Sequence, residues 1–209
     1  MNQSGQDRTT EWKWPEGRSF AFFLSFDFEA DAPEVREKPR DYVSLTRGRA
    51  GLGAIGRLLE IMNACGVKTT FYICTWLIEE HPGIITRIAE QVHEIGCHGY
   101  LHEHLIQLSA DQERGVFEKS DALCKSFLGG PVPGFRAPYW RMNEGTVKLI
   151  SEFGFKHDSS MMDSNEPYIL VNDPDRGPVV ELPVSTYLDD YPHYEINRRS
   201  AGQFQTLVL

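Results

Sequence analysis

Phe20-Ala21-Phe22-Phe23-Leu24-Ser25-Phe26-Asp27 is a short apolar run that ends abruptly in acid. Apolar at successive rather than alternate positions, it reads as a strand buried on both faces, as in a parallel sheet. The acid then falls at the C-terminal end of the strand, the edge where barrels of β/α units carry their chemistry.

Downstream the pattern repeats. Leu52, Ile55, Leu59 and Met62 fall at helical spacing, and Gly66 stands where a helix C′ residue would. Val67-Lys68-Thr69-Thr70-Phe71-Tyr72-Ile73 has the β-branched and aromatic composition of a strand. Pro82 opens a second helix with Ile84, Ile85, Ile88, Val92 and Ile95 inward, closed by Gly96 before Cys97-His98. Ser109 with Gln112 forms a capping box for a helix running to about Phe127. Asn143 caps another, with Val147, Ile150 and Phe153 on one face, and the strand-like Phe155-Lys156-His157-Asp158 follows. Strands alternating with helices mean βαβ units and a parallel sheet. Between them, 31–49 and 165–177 read as long loops that wall a pocket. Asp27, His98, Arg136 and Asp158 all fall at strand C-terminal ends, on one edge.

Composition narrows the function. A chain of 209 residues suits one domain. With 30 acidic against 21 basic residues, the net charge of −9 repels phosphate backbones and argues against nucleic acid as a partner. No stretch approaches the ~20 apolar residues of a membrane span, so no membrane partner is expected. The polar N-terminus lacks a signal peptide's apolar core. Cys65, Cys74, Cys97 and Cys124 show no metal spacing and read as reduced thiols, three of them in apolar surroundings. A cytoplasmic location is the expectation that follows.

Three motifs carry chemistry. His98-Gly99-Tyr100-Leu101-His102 sets two imidazoles four apart, on one face if the chain turns helical, where both reach one borderline-soft divalent ion. The bland alternative is a polar turn of exposed histidines, with His104 a third. Asp27 and Glu29, two apart at a strand end, point the same way, so one can ligate a metal while the other accepts a proton. The alternative there is a solvated acidic loop. Phe135-Arg136-Ala137-Pro138-Tyr139-Trp140 offers an arginine for a bidentate grip on a carboxylate, then aromatics that can floor a sugar pocket. Read blandly, it is a loop with a salt bridge and two core aromatics. His157-Asp158-Ser159-Ser160 either orients Arg136 or caps a turn.

In this order the motifs resemble the NodB-type polysaccharide deacetylases, carbohydrate esterase family four. The resemblance runs from about Phe20 to Tyr191. It implies an α/β fold, a TIM-like (β/α) barrel of about seven parallel strands, with 1–18 a polar tail and 19–209 the domain. It further implies Asp27 as general base, Arg136 as its tether, and Asp158 in the catalytic group. Glu29, His98 and His102 become the metal ligands, and Tyr100, Pro138, Tyr139 and Trp140 contact substrate. The implied cofactor is a divalent ion, zinc first, with cobalt or iron as alternatives. Gly99 and the late Glu181-Leu182-Pro183-Val184 and Leu188-Asp189-Asp190 look like the branch that also holds cyclic imide hydrolases and metal-free allantoinase-like enzymes. The implied activity is hydrolysis of a non-peptide C–N bond, as in an N-acetyl saccharide. Cyclic imide or ureide hydrolysis, or silent saccharide binding, are the alternatives, and a homo-oligomer stays open.

Two departures stand out. Glu29 occupies a position where the branch usually has aspartate. The family's apolar strand with a general-acid histidine is not visible, since His193 lacks the flanking apolar run. The expectation is therefore a barrel lacking its last strand or strands.

Overall fold

The computed structural model describes residues 14–37, 43, 46 and 48–203. The expected tail falls mostly outside these residues. Seven strands form one sheet: β1 (Ser25–Phe28), β2 (Thr70–Ile73), β3 (Glu94–Cys97), β4 (Gly134–Phe135), β5 (His157–Asp158), β6 (Tyr168–Asp173) and β7 (Gly177–Glu181). Their order is β1-β2-β3-β4-β5-β7-β6. The pairs from β1 through β5 to β7 are all parallel, and β6 alone is antiparallel, paired with β7. The α/β reading holds, with that one strand as a correction to an all-parallel sheet. The ladder is not closed, because β1 and β6 are its two ends.

Helices α1 (Ala32–Glu37) and α2 (Arg49–Cys65) follow β1. Helices α3 (Leu77–Glu80) and α4 (Pro82–Glu90) follow β2, α5 (Ala110–Leu128) follows β3, and α6 (Glu144–Glu152) follows β4. The predicted punctuation is in place: Gly66 ends α2 in the left-handed region at φ 64°, and Ser109–Gln112 and Asn143–Thr146 form capping boxes for α5 and α6. Cys74, Cys97 and Cys124 are buried free thiols and Cys65 is an exposed one.

Some expectations are overturned. The ladder begins only at Ser25, and Phe20 and Phe22 are 77% and 75% exposed. As an edge strand, β1 has a neighbour on one side only, so this run is not sandwiched. Val92 is exposed and Ile95 lies in β3, because α4 stops at Glu90 and Val92 turns left-handed. The stretch read as a loop after Asp31 contains α1, and the one read as a loop from Asn165 contains β6.

Alternation across the sheet separates core from chemistry. Phe26, Phe71 and Phe135 face the helices, with Phe26 stacked on Phe71 and Phe135 on Phe117 of α5. The opposite face carries Asp27, Tyr72, Gly96, Gly134 and His157 in one register row. A Cβ on Gly134 would lie 2.3 Å from the His157 ring, so glycine there makes room for the imidazole. Tyr72 Oη is 3.3 Å from His157 Nδ1, and His157 Nε2 is 3.0 Å from Glu94.

Candidate active site

β3 delivers His98 directly past its last residue, and the chain then turns. No helix forms, contrary to the helical reading of the two imidazoles. Instead Gly99 takes φ 75°, and the Glu103 carboxylate accepts the N–H groups of Tyr100 at 2.9 Å and Leu101 at 2.8 Å. His102 itself is left-handed at φ 57°. This tight turn brings the two rings to 4.9 Å between centroids.

The donor atoms converge. Glu29 Oε1 is 3.0 Å from His102 Nε2 and 3.5 Å from His98 Nε2. Zinc–ligand bonds of about 2.0–2.1 Å at tetrahedral angles put neighbouring donors roughly 3.3 Å apart, so this triad fits such an ion. The longer glutamate thus still reaches both imidazoles. His98 Nδ1 donates to the Arg136 carbonyl at 2.8 Å, which leaves Nε2 with its lone pair toward the triad. Burial raises the Glu29 pKa, but the hydrogen bonds with His102 and His98 outweigh it and hold the carboxyl well below the usual range. Burial lowers both imidazoles, and for His98 the charges of Asp27 and Glu29 reverse the direction.

Arg136 is the hub behind this triad. Its Nη1 donates to Asp27 Oδ1 at 2.6 Å, its Nη2 to Ser25 Oγ at 2.9 Å and Ser159 Oγ at 2.7 Å, and its Nε to the Ser159 carbonyl at 2.8 Å. The guanidinium also lies 4.2 Å over the Tyr72 ring. With Oδ1 held, Asp27 Oδ2 faces His98 Nε2 at 3.8 Å.

Asp158 departs from its expected catalytic place. Its carboxyl bonds Ser160, and it pairs in register with Glu181, both fully buried. Burial and then the Glu181 carboxyl push Asp158 well above the usual range. Ser159, not Asp158, grips Arg136. Tyr100 is also displaced from its expected substrate role: its hydroxyl donates to Glu79 at 2.7 Å and Lys119 sits over its ring, beside α5. Pro138 is buried, and Tyr139 packs on His102 at 4.3 Å and His104 at 4.0 Å between ring centroids. The Trp140 indole N–H is enclosed with no hydrogen-bond partner among the described residues. His193 is buried in a turn, its ring against the Tyr187 carbonyl and Arg199. Within the Asp158-Ser159-Ser160 stretch read as orienting Arg136, it is Ser159 that does so. Sequence reasoning missed Ser25 and Arg36, whose partners lie far along the chain, and Glu103, whose carboxylate folds back on the turn two and three residues before it.

The family model for polysaccharide deacetylase matches residues 36–157, more than half of the chain. The chain belongs to the polysaccharide deacetylase family. Within it, this member is 32% identical over 177 residues to the peptidoglycan deacetylase of Helicobacter pylori, covering 74% of the chain and 60% of that protein. A solved structure described as a polysaccharide deacetylase from Mycobacterium smegmatis superposes with a TM-score of 0.77 at 37% identity, covering 87% of this chain and 64% of that one. The Puue allantoinase structure shares the fold, with a TM-score of 0.79 at 18% identity and coverage of 89% and 68%. The chain thus spans about 60% of the length of the curated relatives it matches first.

Proposed function

We propose that this domain hydrolyses the N-acetyl amide of a saccharide with a divalent ion, zinc by its donor set, held by Glu29, His98 and His102. The observation that carries the reading is the convergence of Glu29 Oε1 on both imidazole Nε2 atoms, 3.0 and 3.5 Å away, beside the free oxygen of Asp27. The Helicobacter pylori relative is a peptidoglycan deacetylase, and an N-acetylated glycan of that kind is the substrate class proposed for this chain.

When bound, such an ion supplies Lewis acidity, polarising the scissile carbonyl and making water more acidic. The chain's own groups handle the protons. Arg136 pins Asp27 through Oδ1, so Oδ2 is the atom placed to take a proton from water. The leaving nitrogen needs a proton in return, and protonated Asp27 Oδ2 can give it back. His193 is unsuited to that step, since Tyr187 and Arg199 already engage its ring.

Metal content of the purified protein, measured beside a His98→Ala variant, is the first test. About one zinc, cobalt or iron per chain, lost in the variant, together with acetate release from an N-acetylglucosamine oligomer, is expected. Absence of metal even after zinc loading would sink the reading. Turnover of a cyclic imide or ureide untouched by chelators would move the chain to the metal-free branch.

A further inference from the structure

Four non-glycine residues at or beside the site have left-handed backbones, Ala30, Trp140, His102 at φ 57° and Tyr139 at φ 59°, and the last two share a partner. Each is a conformation that a side chain makes costly, and it persists only where surrounding contacts fix it. One side chain bonds both residues. Arg36, on α1, donates from Nη1 to the His102 carbonyl and from Nη2 to the Tyr139 hydroxyl at 3.0 Å. Its guanidinium also lies 5.8 Å from the centre of the Tyr139 ring, which is itself packed between His102 and His104.

Resting on the metal-site reading above, we propose that Arg36 is a positioning residue of the metal centre, clamping the left-handed backbone of His102 and the Tyr139 ring that packs on it so that His102 Nε2 stays on Glu29. Three features of the arrangement support this. The carbonyl gripped belongs to the ligand residue itself, so the bond acts on the torsions that aim its ring. The His102 ring nitrogen Nδ1 is enclosed without a hydrogen-bond partner among the described residues, so nothing anchors this imidazole as the Arg136 carbonyl anchors that of His98. Backbone grip and ring packing take over that orienting role. Finally, Arg36 lies seven residues beyond Glu29 on the same segment, so α1 ties the carboxylate ligand to the imidazole loop. A second consequence concerns Tyr139. Its hydroxyl accepts from Arg36 and its ring covers His102, so it acts as a wall of the ligand turn rather than as a free sugar platform.

The test is zinc affinity of the whole chain, by competition with a chromophoric chelator, in wild type, Arg36→Met and Arg36→Lys, with the melting temperature of each zinc-free protein measured alongside. Loss of an orienting partner typically weakens metal binding about 10- to 100-fold, and Arg36→Met is expected to show that while its zinc-free melting temperature stays close to wild type. Lysine keeps the charge but cannot grip both partners at once, so its Kd is expected between the two. A wild-type Kd in Arg36→Met overturns the proposal. If Arg36→Met does not fold, a wild-type Kd in Arg36→Lys overturns the two-partner clamp by itself. Failure of wild type to bind zinc overturns the metal-site reading, and this proposal with it, a result distinct from equal Kd values across the series.

Discussion

Replacing Arg136 by methionine keeps an unbranched apolar stem in place of the arginine's methylenes while deleting four donated hydrogen bonds, to Asp27, Ser25 and, twice, Ser159. The loss has two parts. Removing one partner of a buried ion pair costs about 3–5 kcal/mol, because the other charge stays behind unpaired. The Asp27 side chain is 22% exposed, so water reaches it and the lower part of that range applies. The Ser159 carbonyl gets no such relief, since Ser159 is fully buried; an orphaned acceptor there adds about 1–3 kcal/mol. These terms share a site and do not sum fully, which leaves about 3–5 kcal/mol for the variant. That is a large part of the roughly 5–15 kcal/mol that holds a domain folded. Urea unfolding of the metal-free protein, with equal slopes required for wild type and variant, reads the difference. Adding Asp27→Asn to Arg136→Met should recover about 1.5 kcal/mol or more of what additivity predicts. A loss below about 1 kcal/mol for Arg136→Met, or strict additivity, would refute Arg136 as the hub.

Further outcomes follow from particular contacts. Gly99→Ala puts a Cβ into a left-handed residue and 2.8 Å from the Glu103 carboxylate. It is expected to cost about 1–2 kcal/mol in backbone strain and to weaken zinc binding as Glu103 lets go of the turn; an unchanged melting temperature argues against that geometry. Because burial and Glu181 raise the Asp158 pKa, folding takes up a proton. That contribution is whole below the unfolded value near pH 4 and is lost as pH rises through the folded value. Stability should therefore fall as pH climbs above about 4, and Glu181→Gln should flatten the slope; parallel pH profiles of the two proteins would refute it. Burial, then Asp190 and Asp27, lifts Asp189 to about 6. The sign is the same, so Asp189→Asn should gain stability over wild type between pH 4 and 8, as thermal melts at both pH values would show.

The repeating units were readable because α2, α4, α5 and α6 carry periodic apolar faces and β2 is a short run of β-branched and aromatic residues after Gly66, whereas β3 was absorbed into the preceding helix. The strand ends were readable for the same reason: Asp27, His98 and Arg136 interrupt apolar runs. What stayed hidden lacks a period. β4 and β5 pair over two residues each, so their extent did not register although strand ends were read near Arg136 and at Asp158. β6 carries an apolar run, Tyr168 to Val171, but Pro167 and Pro174-Asp175-Arg176-Gly177 on either side made the whole stretch read as loop until its pairing with β7 is seen. The partners of Arg136 lie 23 residues away at Ser159 and 111 away at Ser25, so no local spacing pointed to them. Arg36 was hidden likewise, 66 residues from His102 and 103 from Tyr139.

Sheet parity explains why Ser159 rather than Asp158 joined the site. Asp27, Gly96, Gly134 and His157 share one register row on the polar face. Two residues further on, alternation returns the chain to the same face, and those positions are Glu29, His98, Arg136 and Ser159. All four take part in the cluster, as two of the proposed ligands, the hub and the hub's anchor, whereas Cys74, two residues beyond Tyr72 of the same row, is buried in the core. Asp158 has the opposite parity, as does Glu181, its register partner on β7. The two acids therefore meet each other and not the ligands. A strand-end aspartate of the opposite parity points away from the row of the proposed ligands. On that criterion Asp158 belongs to the frame behind Ser160, whose hydroxyl in turn holds the Ala137 N–H at the start of the Pro138–Trp140 turn.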